Sequence, residues 1–241
     1  MHSRKSSPVL PSHGHPGILA MRLLEEIRAH FSQRNVDGQR RFGITPATEQ
    51  LGVSMAVLRK LARAHRRNHE LSLALWAITP PVHEARLLAA LTDDPARVTA
   101  WQMDAWARTF DSWDVCDICC MHLFRRTPFA FGKAVQWSAR NAPRDTFVKR
   151  AGFALMATLA VHAKDEPDAT FLAWLPIIRR EANDGRNFVR KAVNWALRQI
   201  GKRNPRLRRA AIAEARRIRL LDTKAARWIA ADALRELETQ R

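Results

Sequence analysis

The pentapeptide Phe147-Val148-Lys149-Arg150-Ala151 returns forty-one residues later as Phe188-Val189-Arg190-Lys191-Ala192, and Ala196-Leu197-Arg198 returns after thirty-seven residues as Ala233-Leu234-Arg235. A period near forty is too short for a domain with its own core, so each unit must hide its apolar face against the next copy. The units read as helices. From Ile18 onward apolar residues recur at three and four positions, Gly and Pro fall at segment ends, and no run alternates as a half-buried strand does. Helices are expected near 18–33, 54–67, 69–78, 82–92, 97–110, 113–126, 129–141, 144–163, 168–182, 186–201, 206–219 and 223–239, or about six pairs.

Stacked helix pairs of this period define HEAT or armadillo-like architecture. The expected fold is therefore all-α, a right-handed superhelix of about six stacked antiparallel helix pairs, forming one domain over 17–241 behind a disordered, proline-bearing tail at 1–16. Its concave side is a long surface, and charge says what that surface meets. Against 23 acidic residues stand 41 basic ones, for a net charge of +18. Of those 41, 33 are Arg, the side chain best shaped for two-point contact with phosphate, so nucleic acid leads the expected partners. No apolar run has the length of a membrane span, and Met1–Gly17 lacks the apolar stretch of a signal peptide, so a cytoplasmic protein without membrane partners is expected. Cys116, Cys119 and Cys120 form one odd-numbered cluster, which argues for reduced core thiols; with no second Cys/His cluster, neither a metal nor another cofactor is expected.

Three places carry candidate chemistry. In Trp113–Phe124, Asp117 lies inside an apolar, cysteine-rich helix and needs a partner, while Trp113 sits one turn before it on the same face. Asp114, near the helix start, suits a capping or dipole role. Arg150 precedes thirteen residues without Lys, Arg, Asp or Glu, and Asp117 is its natural carboxylate if their helices belong to adjacent repeats; a purely structural ion pair is the alternative. On the helix Arg186–Gly201, Val189, Val193, Ala196, Leu197 and Ile200 form the apolar face. Trp195 falls opposite with Lys191, Arg198 and Lys202, where it either stacks on a nucleotide or packs on arginine stems of the next repeat. His83-Glu84-x-Arg86 begins an amphipathic helix and reads as a solvated or inter-repeat ion pair, with contact to a DNA backbone as the alternative.

Over roughly residues 50–205 the chain resembles the HEAT-like-repeat alkylpurine DNA glycosylases of the AlkD type, the DNA alkylation repair enzymes. Trp113-Asp114-Val115-Cys116-Asp117 is similar to that family's Trp-Asp-x-x-Asp motif, Phe147–Ala151 to a segment ending in a functional arginine, and Lys191–Arg198 with Lys202-Arg203-Asn204-Pro205 to a Trp-bearing helix and its turn. The resemblance implies Asp117, Trp113, Trp195 and Arg150 as active-site residues, and Lys149, Arg190, Lys191, Arg198, Lys202 and Arg203 are the expected DNA-binding residues. It also implies a monomer that excises cationic N3- or N7-alkylated purines from double-stranded DNA while the lesion stays largely stacked. A tyrosine used by relatives in their N-terminal helices is absent, as the chain has no Tyr. The alternative reading is a non-catalytic DNA-binding or scaffold protein on the same repeats.

Overall fold

The computed structural model describes residues 15–239. Among them run thirteen α-helices: α1 (Pro16–Ala29), α2 (Gln33–Arg41), α3 (Met55–Ala64), α4 (His69–Trp76), α5 (His83–Thr92), α6 (Ala100–Arg108), α7 (Trp113–Ile118), α8 (Ala130–Ser138), α9 (Thr146–His162), α10 (Asp168–Glu181), α11 (Asn187–Gly201), α12 (Pro205–Arg219) and α13 (Lys224–Thr239). Ser32, Ser54, Asn68, Thr99 and Asn204 each accept the backbone N–H three residues on, which satisfies a donor the helix start would otherwise orphan. Most of the tail expected at 1–16 lies outside the described residues, and its last residue, Pro16, already opens α1.

Two expectations change. The helix α2 has no counterpart among the expected helices, because QRNVDGQRR holds one buried apolar residue, Val36, and so has no periodicity to detect. Amides hold it instead: Asn35 Nδ2 donates to the Gly52 carbonyl at 2.9 Å, and Gln50 Nε2 to Gln39 Oε1 at 2.6 Å. The single helix expected over 113–126 ends as α-helix at Ile118, then continues as a π turn (Cys119–Leu123) and a 3-10 turn (Phe124–Arg126). Cys116 and Cys120 point their sulfurs at the Phe147 and Ala151 carbonyls, so the cysteines pack as small core residues, their thiol pKa values pushed up by burial.

Twelve of the helices form two layers. One holds α3, α5, α7, α9, α11 and α13 side by side; α1, α4, α6, α8, α10 and α12 back it. The sequence repeat is visible as contact between copies: the Phe147 and Phe188 rings meet at 5.3 Å between centroids, and Ala196 and Ala233 are both fully buried. A column of aromatic rings runs along the backing layer, with Trp76 and Trp106 stacked at 3.9 Å and Phe110 and Trp137 continuing from them around Phe124, which enters from the turns after α7. In the middle of the first layer, α9 is buried from Val148 to Ala160, which explains its long uncharged stretch. At Gly152 an added Cβ would lie 2.5 Å from the Ser138 nitrogen, so only glycine lets α9 approach α8 this closely.

Candidate active site and nucleic-acid interface

The start of α7 is fastened to α5. His83 Nε2 lies 2.8 Å from Asp114 Oδ2, and the Ser112 hydroxyl donates to the other oxygen of the same carboxylate. Burial works to raise the Asp114 pKa and to lower that of His83; the pairing outweighs it, leaving Asp114 below and His83 above its ordinary value. Asp114 thus links two helices and is more than a cap. Its neighbours on α5 are buried too, which overturns the solvated reading of that motif. Glu84 accepts the backbone N–H groups of Leu51, Gly52 and Val53, and Arg86 donates to the Thr109 carbonyl at 2.9 Å.

One turn on, Asp117 faces α9. Arg150 grips it at two points, Nε to Oδ1 at 2.9 Å and Nη2 to Oδ2 at 2.7 Å, while Nη1 donates to the Phe188 carbonyl at the head of α11 at 2.8 Å. The guanidinium carbon lies 5.8 Å from the centre of the Trp113 ring, and the indole N–H donates to the Phe42 carbonyl at 3.2 Å. Residues from α7, α9, α11 and the turn after α2 therefore meet at one point. Asp117 is 9% exposed and Arg150 6%. Burial pushes the Asp117 carboxyl above its usual pKa, against the opposing charge and hydrogen bonds of Arg150. The two-point bond is the geometry of a carboxylate.

Trp195 stands seven residues beyond Phe188, hence on the same face of α11 and about 10 Å along it. It is half-buried against the core, and among the described residues it makes no ring or cation contact with the trio. The trio is assembled directly; Trp195 shares only the helix that receives Arg150.

Most of the cations expected on DNA are occupied within the protein. Lys149 is 1% exposed and bonded to Glu181 at 2.6 Å and Asp184 at 2.9 Å, so its assignment to DNA is corrected: a phosphate would have to break a buried pair to reach it. Arg203 is likewise structural, donating to the carbonyls of Ala160, Ala163, Lys164 and Glu166 over the Phe171 ring. Arg198 and Lys202 pair with Glu236 of α13, and Arg190 stacks over Trp228 at 4.5 Å. Lys191 remains exposed.

The basic surface that sequence reasoning missed lies between α3 and the turns after α7. A cavity of about 920 Å³ is lined by Arg59, Arg63, Arg66, Arg67, Arg126 and His122, with Asp93 and Asp94 on its wall. Asp93 is already engaged by His69 at 2.7 Å and by Gln102 at 2.7 Å. Among the described residues none of the five arginines has an ion pair or a side-chain hydrogen bond. Burial, then the charges of Arg59, Arg126 and Arg125, depress the His122 pKa, a sign of how concentrated the positive field is. The available signal was the spacing of Arg59, Arg63 and Arg66, which sets three arginines on one helical face.

A family model described as DNA alkylation repair enzyme matches residues 23–237, reaching further toward the N-terminus than the likeness seen from motifs. No curated protein matches the chain. A solved structure reported as a new family of proteins related to the HEAT-like repeat DNA glycosylases, with affinity for branched DNA structures, is similar at 16% identity, covers 81% of each chain and superposes with a TM-score of 0.71. That likeness is one of fold.

Proposed function

The chain belongs to the DNA alkylation repair enzyme family, and from that premise we propose that it is a DNA glycosylase hydrolysing the N-glycosidic bond of cationic N3- or N7-alkylated purines in duplex DNA. The observation that carries this reading is the Asp117–Arg150 pair with Trp113 beside it, three residue types brought from α7 and α9 to one point. A purine alkylated at N3 or N7 is already positively charged and leaves without a strong general acid. The difficulty is the positive charge that grows on the deoxyribose, and a fixed carboxylate beside an indole face lowers the cost of that charge. Arg150 acts on Asp117, keeping it ionised and aimed. Arg59, Arg63, Arg66 and Arg126 are the proposed backbone contacts, joined by Lys191. No step calls on a metal or cofactor.

A second reading is a binding-only protein that recognises branched or damaged DNA. The affinity described for the similar solved structure favours it, as does the near-complete enclosure of Asp117. Release of free methylated purine from alkylated duplex DNA in single turnover separates the two: the glycosylase reading expects release, and tight binding without release rejects it.

A further inference from the structure

We propose that the arginine cavity beside α3 binds a DNA phosphate together with a proton, which His122 takes up, so that this site holds DNA more tightly as pH falls. The proposal deepens the DNA-binding reading above and rests on it. His122 lines the cavity among its five arginines. It lies in the π turn Cys119–Leu123 that continues α7, so the phosphate site and Asp117 are carried on one segment of chain. Turns of this kind occur often at functional sites.

His122 differs from its neighbours in being able to change charge. An arginine stays charged throughout the working range of pH, so the five arginines attract phosphate without coupling it to protons. The imidazole is half-buried, and among the described residues neither ring nitrogen has an ion pair or a hydrogen bond. Charged and titratable groups face it from every packed element: Arg59 and Arg63 of α3, Arg66 and Arg67 of the following turn, Arg125 and Arg126 of its own turns, His162 at the end of α9, and Asp93 and Asp94 after α5. The two carboxylates are engaged elsewhere, Asp93 by His69 and Gln102 at 2.7 Å each and Asp94 by the Ala96 N–H at 3.2 Å.

In the free protein burial first, and the surrounding arginines second, hold the His122 pKa below its ordinary value of 6.5, so at neutral pH the ring is uncharged. A phosphate in the cavity reverses the second cause. It neutralises the arginine field and sets a negative charge beside a ring with an unused nitrogen, so the pKa rises in the complex. Between the two pKa values the complex binds one more proton than the free protein. Affinity therefore climbs as pH falls through that window, by at most about tenfold per pH unit, and is level on either side of it. His162 also has a lowered pKa, from burial and then from Arg125, but it is exposed and does not line the cavity.

The test is the affinity of the full chain for a rhodamine-labelled unmodified duplex, followed by fluorescence anisotropy at fixed salt from about pH 8 down to about pH 5.5, the range in which histidine titrates. Wild-type affinity should rise about three- to tenfold across it. His122→Gln, which keeps a hydrogen-bond donor but cannot titrate, should lose that rise. His122→Arg, which fixes the charge, should bind at the alkaline end about as tightly as the wild type does at the acid end, and His162→Gln should keep the wild-type rise. Calorimetry of wild-type binding in two buffers of different ionisation enthalpy should show net proton uptake at neutral pH, a count that depends on no variant. Wild-type affinity that is level with pH, no proton uptake, or a rise that survives His122→Gln or is lost in His162→Gln overturns the proposal and spares DNA binding. Absence of DNA binding by the wild type at every pH overturns both.

Discussion

Asp117→Asn tests the catalytic reading only beside a double variant that removes both partners, because the carboxylate also satisfies a buried guanidinium. In the single variant the amide can accept one of the two Arg150 hydrogen bonds, now 2.9 and 2.7 Å, and turns its NH2 toward the cation. Breaking one side of a buried pair costs about 3–5 kcal/mol. In a chain of this size a loss of that order lowers the melting temperature by roughly 6–20 °C. Removing a well-placed electrostatic group costs the transition state about 2.7–4 kcal/mol, or roughly 10²–10³ in rate. The single variant therefore loses both stability and excision, and excision alone cannot assign the cause. Asp117→Leu with Arg150→Met removes both charges, and a buried pair exchanged for apolar groups of similar volume is often neutral. The double variant should recover most of the melting temperature while single-turnover release stays about 10²-fold or more below wild type. Wild-type release from the stable double variant would refute the catalytic role. A pH series adds a check: burial places the Asp117 pKa above its ordinary value of 3.8, so the acid limb of kcat/KM should lie above that value and vanish in Asp117→Asn.

Alanine at Arg59, Arg63 and Arg66 together should flatten the dependence of log K on log salt by about 0.9 for each phosphate no longer neutralised, measured by fluorescence anisotropy; an unchanged slope removes this cavity from the DNA path. Trp174, 3% exposed against Phe131 and Phe171, should cost about 3–5 kcal/mol on truncation to Ala, whereas half-buried Trp195→Ala should cost less and lower excision more. Equal melting points for the two variants, or full activity in Trp195→Ala, would place Trp195 in the core. Burial acts to raise the Asp184 pKa, but hydrogen bonds from Arg186 and Lys149 carry it down to about 2. Its folded value lies below its unfolded one, so its stabilisation is complete above pH 3.8 and disappears as pH falls through about 2. Urea unfolding of Asp184→Asn should show a shallower loss of stability across that window, and an unchanged acid limb would contradict the assignment.

Helical spacing and a forty-residue echo are local properties of the chain, and they were enough to specify the scaffold, because a repeat that must bury its face on its neighbour leaves few other ways to pack. The copies Phe147 and Phe188 meet ring to ring because equivalent positions of adjacent repeats face one another. Asp117 and Arg150 were legible for a related reason: each is a charge in an apolar helix, and a buried charge names its need for a partner before the partner is seen. Whether a surface cation is free has no such signature. Lys149 and Arg63 look alike in a sequence, yet one is closed in by Glu181 and Asp184 from an adjacent loop and helix end, and the other opens into a cavity. Segments distant in the chain decide that difference, as they decide that the polar helix α2 comes to lie beside Trp113. Which arginines remain unpaired therefore became visible only once the chain was folded, since availability is the absence of a neighbour and no residue encodes that alone.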